Sequence, residues 1–279
     1  MPKDELQEQL ELWLLELRMQ ELSSGTITNY RPIVQRFIDW IPEDKSIDKL
    51  LIMDFKDYLK TILCTSTANH NITVVNKFLK WLGFSDCTVK TYRVQTKQSN
   101  EEVITLADYA RLRRWAKRLG DHQSYYIMTI LAETGIRIGE LDFFTVENLG
   151  FEIDVSNKGK ERKIFVRQDL KRELVRYAKE QGIKSGYIFP SPKIEGQMVS
   201  DATIWRRMQK IAGRARVNKK KVHAHSFRHL FAQLWMEEHG DIATLADILG
   251  HNSIETTRLY SRTSDVQKRH MIEEIKFHR

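Results

Sequence analysis

The stretch HAHSFRHLF occupies residues 223–231 and places His225 and Arg228 three positions apart. On a helix this spacing puts both side chains on the same side. There the arginine can bind two nonbridging oxygens of a phosphodiester, and the histidine can donate or accept a proton near neutral pH. By itself, however, the pair is better explained by a basic helix in a groove that has no catalytic duty. A zinc site is not favoured, because no Cys or Glu at ligand spacing accompanies the histidines.

A second stretch, AETGIRIGELDFF at residues 132–144, sets a cation into an apolar helical pattern. Arg137 follows a Thr-Gly break and lies between Ile136 and Ile138. A buried charge without a partner is costly, so Arg137 needs a counter-charge, and Glu140 is the candidate three residues on. Taken alone, this pair is explained by a structural ion pair.

A third stretch, ADILGHNSIETTRLYSR at residues 246–262, begins as an apolar helix. Gly250 is typical of the residue that ends such a helix. His251 follows it directly, and Tyr260 comes nine residues after His251. Taken alone, a tyrosine next to a leucine indicates core packing.

Between the motif at residues 132–144 and the motif at residues 223–231, the spacing of the apolar residues changes from the helical pattern to the alternation typical of a strand. Apolar and acidic residues alternate over residues 151–155, and KIFV at residues 163–166 resembles a second strand. The sequence NKGK at residues 157–160 predicts the turn between them. This is a short hairpin with Lys158 and Lys160 at its tip, and by itself it indicates only an exposed turn.

Helical spacing dominates the rest of the chain. Apolar residues three and four apart predict a first helix at residues 4–22, and SSGT at residues 23–26 is typical of a break with a helix N-cap. Further helices are predicted after this break and at about residues 48–63 and 67–83. The stretch RVQTKQSNEE at residues 93–102 has no apolar period and predicts a linker.

The charge distribution points to a polyanionic partner. The net charge is +8, and residues 101–279 carry all of it, because residues 1–100 hold 13 basic and 13 acidic side chains. Residues 202–236 contain no acid, and the cations there repel one another unless a polyanion neutralises them. We therefore favour nucleic acid over a merely solvated surface. The candidate DNA-binding residues are Arg206, Arg207, Lys210, Arg214, Lys219, Lys220 and Lys221.

Composition excludes several other classes of protein. Hydrophobic residues make up 41% and charged residues 29%, with 13 Gly and 5 Pro, as in a folded and helix-rich protein. No apolar run reaches the length of about 18 residues that a membrane span needs, and acids within the N-terminal apolar pattern argue against a secretory signal. Two cysteines are too few for a disulfide scaffold, so a reducing, cytoplasmic compartment is expected.

Taken together and in this order, the motifs resemble the tyrosine recombinase, or phage-integrase, family: TG-x-R-x-G-E-L, a GK-containing hairpin, H-x-x-R-H, and LGH with a tyrosine nine residues later. The resemblance covers about residues 103–262, and LSSGTITNYRPIVQRFIDW in the N-terminal part is similar to the family's core-binding domain. It implies a mainly α fold with a small antiparallel sheet, in a two-domain, C-shaped clamp around DNA. The expected organisation is a helical, SAM-like core-binding domain at residues 1–92, a linker at 93–102, and a catalytic domain at 103–279 with a C-terminal helix at 264–277.

The resemblance implies a covalent mechanism of DNA cleavage. Tyr260 would attack a DNA phosphate, form a 3′-phosphotyrosyl link and release a 5′-hydroxyl, so that rejoining needs no ATP. Arg137 and Arg228 would hold the nonbridging oxygens as negative charge builds up in the transition state.

The same resemblance gives roles to the remaining site residues. His225 and His251 would assist, one by moving the tyrosine proton and the other by a hydrogen bond to the phosphate. Lys158 would protonate the leaving oxygen; it is favoured over Lys160 because it precedes the glycine of the turn. Glu140 would support the helix that carries the histidine and the arginine.

The expected activity is site-specific recombination of double-stranded DNA. Four protomers would join two copies of a specific DNA site and exchange strands through a Holliday junction, with no metal or other cofactor, because side chains supply the positive charge. The alternatives are a type IB topoisomerase, which would relax supercoils with the same residues, and a non-catalytic DNA-binding regulator. A metal nuclease would need a carboxylate cluster, which the sequence does not offer.

Overall fold

The computed structural model describes residues 2–43, 45–93, 103–157 and 160–250, together with Thr257 and Glu273. The chain divides into two compact units, Met1–Gln98 and Ser99–Arg279, and each has its own hydrophobic core. Residues 94–102 lie outside the described part, so the predicted domain boundaries stay predictions.

All the regular secondary structure in the described residues of the first unit is helical. Side chains cap two of its helices: the Ser23 hydroxyl accepts a hydrogen bond from the Thr26 N–H at 3.3 Å, and the Asp48 carboxylate accepts one from the Leu51 N–H at 2.7 Å. The elements are α1 (Lys3–Met19), α2 (Ser24–Trp40), α3 (Lys49–Ile62), α4 (Thr65–Trp81) and a 3-10 turn (Ser85–Cys87).

The core of the first unit is built from the apolar faces of these helices. Aromatic rings form its centre, with Phe37 and Phe55 in an edge-to-face contact at 5.0 Å between centroids and Trp13 stacked on Tyr30 at 5.9 Å. The apolar side chains that recur every three or four residues are therefore buried together in one core between α1, α2, α3 and α4.

The second unit combines helices with one hairpin. Its described helices are α5 (Leu106–Arg118), α6 (His122–Thr134), α7 (Gln168–Glu180), α8 (Asp201–Ala215), α9 (Ala224–Glu238) and α10 (Ile242–Leu249), with 3-10 turns at Ile138–Phe143 and Lys219–Lys221. The predicted fold class, mainly α with a small antiparallel sheet, is confirmed. Within the described residues, no helix is both long and apolar enough to cross a membrane.

The hairpin strands are longer than the apolar alternation predicted. Strand β1 (Glu152–Asn157) pairs antiparallel with β2 (Lys160–Phe165), in a register that places Ile153 opposite Ile164. The second strand was predicted to begin at Lys163, but β2 begins three residues earlier, at Lys160. The strand is longer because the hydrogen bonding between the backbones continues past the apolar residues. Lys160 therefore belongs to β2, whereas Lys158 lies outside the described residues.

Helix α6 ends earlier than the apolar pattern of the sequence indicated. Gly135 ends it with a φ of +64°, a left-handed conformation that favours glycine. A Cβ at this position would come within 2.5 Å of the Phe231 ring and 2.8 Å of Leu249, so the close approach of these side chains also requires glycine. The break turns the chain away from the α6 axis and sets Arg137 in extended backbone before the next 3-10 turn.

Phe55→Ala should lower the free energy of unfolding of the first unit by about 3–5 kcal/mol, because it empties a buried ring position in the aromatic core. Denaturant titration followed by tryptophan fluorescence measures the change. The control is Leu50→Ala, which trims an exposed side chain of the same helix and should change stability by less than about 0.5 kcal/mol. Equal effects of the two substitutions would contradict this account of the core.

Candidate active site

Three successive backbone carbonyls at the carboxyl end of α10 accept hydrogen bonds from three different arginines. The last carbonyls of a helix have no partner within the helix and carry the negative end of its dipole, so guanidinium groups satisfy both their hydrogen bonding and their charge. The pairs are Arg162 Nη1 to Ile248 O at 2.5 Å, Arg228 Nη2 to Leu249 O at 2.7 Å, and Arg137 Nη2 to Gly250 O at 3.1 Å.

Arg228 is the buried member of this set. It lies on α9 with 1% of its surface exposed, and its Nη1 donates a second hydrogen bond to the Gly135 carbonyl at 2.7 Å. A buried charge is costly unless polar groups surround it. The guanidinium therefore ties α9 to the end of α6 and to the end of α10.

Arg137 is the accessible member, with 47% of its side chain exposed. It forms the ion pair with Glu140 that the sequence predicted, at 3.4 Å from Nη1 to Oε1. The Arg137 backbone N–H also donates to Glu140 Oε2 at 2.7 Å, which closes the 3-10 turn. These contacts orient the arginine while leaving about half of its side chain open to a ligand from solvent.

Glu140 has a second and closer partner, which sequence reasoning missed. Arg162 on β2 donates from Nη2 to Glu140 Oε2 at 2.6 Å and from Nε to Oε1 at 3.3 Å. One signal in the sequence could have found it. Arg162 and Ile164 are two residues apart and share the inward face of β2, so a cation at that position needs a buried partner.

His225 lies among these cations, on the first turn of α9. Its surface is partly exposed, yet protein atoms packed around the ring lower its pKa, and the positive charges of Arg228, His223 and Arg137 lower the pKa further. His225 is therefore neutral at pH 7 and able to accept a proton. The structure thus brings Arg137, His225 and Arg228 together.

His229 packs edge-on against His225, with 4.5 Å between the ring centroids. Burial lowers the pKa of His229 to about 4, and the neighbouring His225, His223 and Arg228 charges act in the same direction. His223 in turn contacts the Ser226 hydroxyl at 2.9 Å. His229 is therefore neutral at pH 7, like His225, despite the basic sequence around it.

The remaining predicted catalytic residues, Lys158, His251 and Tyr260, lie outside the described residues. Their roles stay predictions. In the sequence, Lys158 comes two residues before β2, and His251 directly follows Gly250 at the end of α10. Within the residues that the structure describes, no group of three or more His, Cys, Asp or Glu side chains could hold a metal ion.

The predicted DNA-binding cations fall on two neighbouring segments. Arg206, Lys210 and Arg214 recur every four residues on α8 and are exposed. Within the described part of the chain none of these three forms an ion pair. Arg207 differs from them, because it is half-buried and donates a hydrogen bond to the Gln123 side chain.

The lysine run that follows α8 forms the 3-10 turn Lys219–Lys221. The Asn218 side chain caps it by accepting a hydrogen bond from the Lys220 N–H at 3.0 Å. The Lys219 stem packs against Gly213, where an added Cβ would lie 3.3 Å from Cε. The turn therefore holds its lysines beside the exposed cations of α8.

Comparison with known proteins identifies the family. The model of the phage integrase family matches residues 99–267, and that of the phage integrase N-terminal SAM-like domain matches residues 10–84. The first of these matches covers more than half of the chain, so the chain belongs to the phage integrase family. The resemblance that the motifs indicated is thereby confirmed.

Individual relatives agree with this assignment. Tyrosine recombinase XerA of Pyrococcus horikoshii is 24% identical over 96% of this chain and 93% of its own length. Tyrosine recombinase XerA of Pyrococcus furiosus is 31% identical over 50% of this chain and 49% of its own length. Among solved structures, the XerH site-specific recombinase bound to difH substrate in a pre-cleavage complex has a TM-score of 0.72 at 16% identity, covering 90% of this chain and 80% of that one. At that identity the last match shows the fold alone.

The lowered pKa of His229 predicts that the folded protein loses stability in mild acid. Its folded pKa of about 4 lies below the ordinary value of 6.5, so the unfolded chain takes up this proton first as the pH falls. The stability that neutral His229 contributes is therefore complete above about pH 6.5 and is lost progressively toward pH 4. Thermal melting at pH 7 and pH 5 should show a smaller drop in Tm for His229→Gln than for the wild type.

The control for this experiment is His239→Gln, which replaces an exposed histidine of the same region. It should keep the wild-type drop in Tm between the two pH values. An undiminished drop in His229→Gln would show that another group causes the acid sensitivity.

Proposed function

We propose that this protein is a site-specific recombinase that cleaves and rejoins duplex DNA through a 3′-phosphotyrosyl intermediate. As a member of the phage integrase family, it is a tyrosine-type recombinase. The observation that carries the proposal is the grouping of Arg137, Arg228 and a neutral His225 at the end of α10, directly before His251.

The two arginines suit a phosphate that gains negative charge. In the five-coordinate transition state the nonbridging oxygens become more negative, and preorganised cations stabilise that state more than the starting phosphodiester. Arg137 is accessible, and its contact with the Gly250 carbonyl can give way to a charged phosphate oxygen. Arg228 is 1% exposed, so a phosphate reaches it only after the atoms that cover it move.

Proton transfer completes the chemistry. The Tyr260 oxygen bonds to phosphorus, its proton passes to a neutral histidine, and the bond from phosphorus to the 5′-oxygen breaks. Either His225 or His251 takes that proton, and Lys158 supplies one to the leaving 5′-oxygen, with Lys160 as the alternative. The phosphotyrosyl ester keeps the energy of the broken phosphodiester, so the reverse attack by a 5′-hydroxyl rejoins DNA without ATP.

The positive charge that this reaction needs comes from protein side chains. Arg137, Arg228 and the hairpin lysine supply it at the phosphate, and we propose that no metal ion or other cofactor takes part. Cleavage in the presence of EDTA is the corresponding measurement.

Assembly on DNA is the further part of the proposal. Four protomers join two DNA sites, and strands exchange through a Holliday junction. In the sequence, the predicted C-terminal helix at residues 264–277 carries the apolar residues Val266, Met271, Ile272 and Ile275, and we propose that this apolar stripe docks on a neighbouring protomer. Support for the DNA partner comes from structural neighbours described as a lambda integrase dimer on a COC′ core site and a Tn1549 integrase with transposon right end DNA. We propose a cytoplasmic, nucleoid-associated location for such a protein.

Topoisomerase activity is the alternative with the same residues. The relatives are named recombinases and a resolvase, which does not favour it. A plasmid with two copies of the DNA site separates the two activities, since a recombinase resolves or inverts it and a topoisomerase only relaxes it.

Tyr260→Phe should keep DNA binding and lose covalent attachment, because it removes only the nucleophilic hydroxyl. Denaturing gels of protein mixed with a labelled duplex, taken from the DNA that flanks the gene, measure the adduct. Tyr187→Phe is the control: it removes a hydroxyl from a half-buried tyrosine and should leave adduct formation unchanged. A denaturation-resistant adduct formed by Tyr260→Phe protein would show that the nucleophile lies elsewhere.

Replacement of Lys219, Lys220 and Lys221 by Ala should make DNA binding less sensitive to salt. Each lost phosphate contact lowers the slope of log affinity against log salt by about 0.9, because fewer counterions are released on binding. The control is a triple substitution of Lys171, Lys179 and Lys184 by Ala, which removes the same amount of charge. Lys171 and Lys179 lie on α7 and Lys184 follows it, in a stretch where acids alternate with the cations. This control should keep the wild-type slope of log affinity against log salt. The same slope in all three proteins would exclude the lysine turn from the DNA interface.

A further inference from the structure

We infer that Arg162 is a positioning residue for DNA cleavage, which holds the Glu140 carboxylate so that the Arg137 guanidinium stays available to a DNA phosphate. The inference rests on the proposed function, because it concerns the same reaction. It assigns a task to a residue outside the set that the motifs indicated.

The two arginines compete unequally for one carboxylate. Arg162 binds both oxygens of Glu140, at 2.6 and 3.3 Å, whereas the guanidinium of Arg137 has one contact with it, at 3.4 Å. The Arg162 and Glu140 side chains are 13% and 2% exposed, so their attraction is only weakly screened by water. The negative charge of Glu140 is therefore taken up chiefly by Arg162, and Arg137 keeps its positive charge for another anion.

Arg162 is itself fixed at the end of α10. Its Nη1 donates to the Ile248 carbonyl at 2.5 Å, and its stem passes under Gly250, where an added Cβ would lie 2.6 Å from Cδ and 3.0 Å from Nε. The Gly250 φ of +62° also favours glycine. Arg162 thus stays between Glu140 and α10.

Without Arg162 the carboxylate loses its closer partner. A buried carboxylate that lacks a counter-charge is costly, and the neighbouring guanidinium of Arg137 is the group within reach. Glu140 would then draw Arg137 into a two-point ion pair, in competition with a DNA phosphate. The expected defect is in the cleavage rate, because the Arg162 side chain is only 13% exposed and so offers little surface to DNA.

Arg162→Ala should slow the formation of the covalent protein–DNA adduct by about 100-fold, the size of effect expected when a reacting group is misplaced by about 1 Å. DNA affinity, measured by fluorescence anisotropy on the same labelled duplex, should change by less than about 3-fold, since the exposed cations remain. The matched control is Lys163→Ala, which removes the next cation of β2, an exposed side chain paired with Glu152. It should cleave at the wild-type rate.

A second substitution separates this role from a merely structural one. Glu140→Gln keeps an oxygen that can accept from the Arg137 N–H but removes the charge that captures the guanidinium. Arg162→Ala combined with Glu140→Gln should therefore cleave faster than Arg162→Ala alone. Both variants are assayed at a temperature at which thermal melting shows each to be fully folded, so that any relief of the buried Glu140 charge on stability does not affect the comparison of rates. Under that condition, a double variant that is equally slow or slower overturns the inference.

The remaining outcomes are also decisive. If the wild type forms no adduct, the proposed function fails, and the inference falls with it. If the wild type forms the adduct and Arg162→Ala matches its rate, the inference alone is overturned. If Arg162→Ala melts far below the wild type, Arg162→Lys takes its place, because one ammonium keeps a charge beside Glu140 but cannot bind both oxygens and Ile248 together. Wild-type cleavage by folded Arg162→Lys overturns the inference.

Discussion

The carboxyl end of α10 is the constraint on which the rest of the site depends. A helix leaves its last carbonyls without partners, and here Ile248, Leu249 and Gly250 each receive a guanidinium from a different part of the chain. Because the acceptors are consecutive, the three donors must lie within a few ångströms of one another. A 3-10 turn, a strand and α9 are thereby brought to one place.

The buried charges make this arrangement cooperative. Arg228 and Glu140 are each almost fully enclosed, and an enclosed charge is tolerated only while its partners remain. Arg228 depends on the carbonyls of Gly135 and Leu249, and Glu140 depends on Arg162. Removal of any one member leaves another unsatisfied, so the network has one well-defined geometry, as a site that must position a phosphate requires.

Sequence reasoning reached the parts of this structure that local pattern controls. Apolar spacing predicted α1, α3 and α4, and the three-residue interval between Arg137 and Glu140 predicted their ion pair. It missed Arg162, because the partner of that residue is 22 positions away and depends on which face of β2 meets α10. It also continued α6 past Gly135, since the contacts with Phe231 and Leu249 that demand glycine come from distant segments. The roles of Lys158, His251 and Tyr260 rest on motif order alone.

The unequal exposure of the two arginines sets an order for phosphate binding in the proposed reaction. To bind a phosphate, Arg137 gives up its hydrogen bond to the neutral Gly250 carbonyl. A phosphate oxygen is a stronger acceptor than this carbonyl because it is charged, so the exchange is favourable without any movement of buried groups. Arg228 is enclosed and holds two carbonyls, so its exchange requires the end of α10 to shift. His251 follows that end directly in the sequence. In the proposed reaction, a phosphate that engages both arginines would therefore displace Gly250, and this displacement would couple DNA binding to the chain segment that leads in the sequence to Tyr260, the proposed nucleophile.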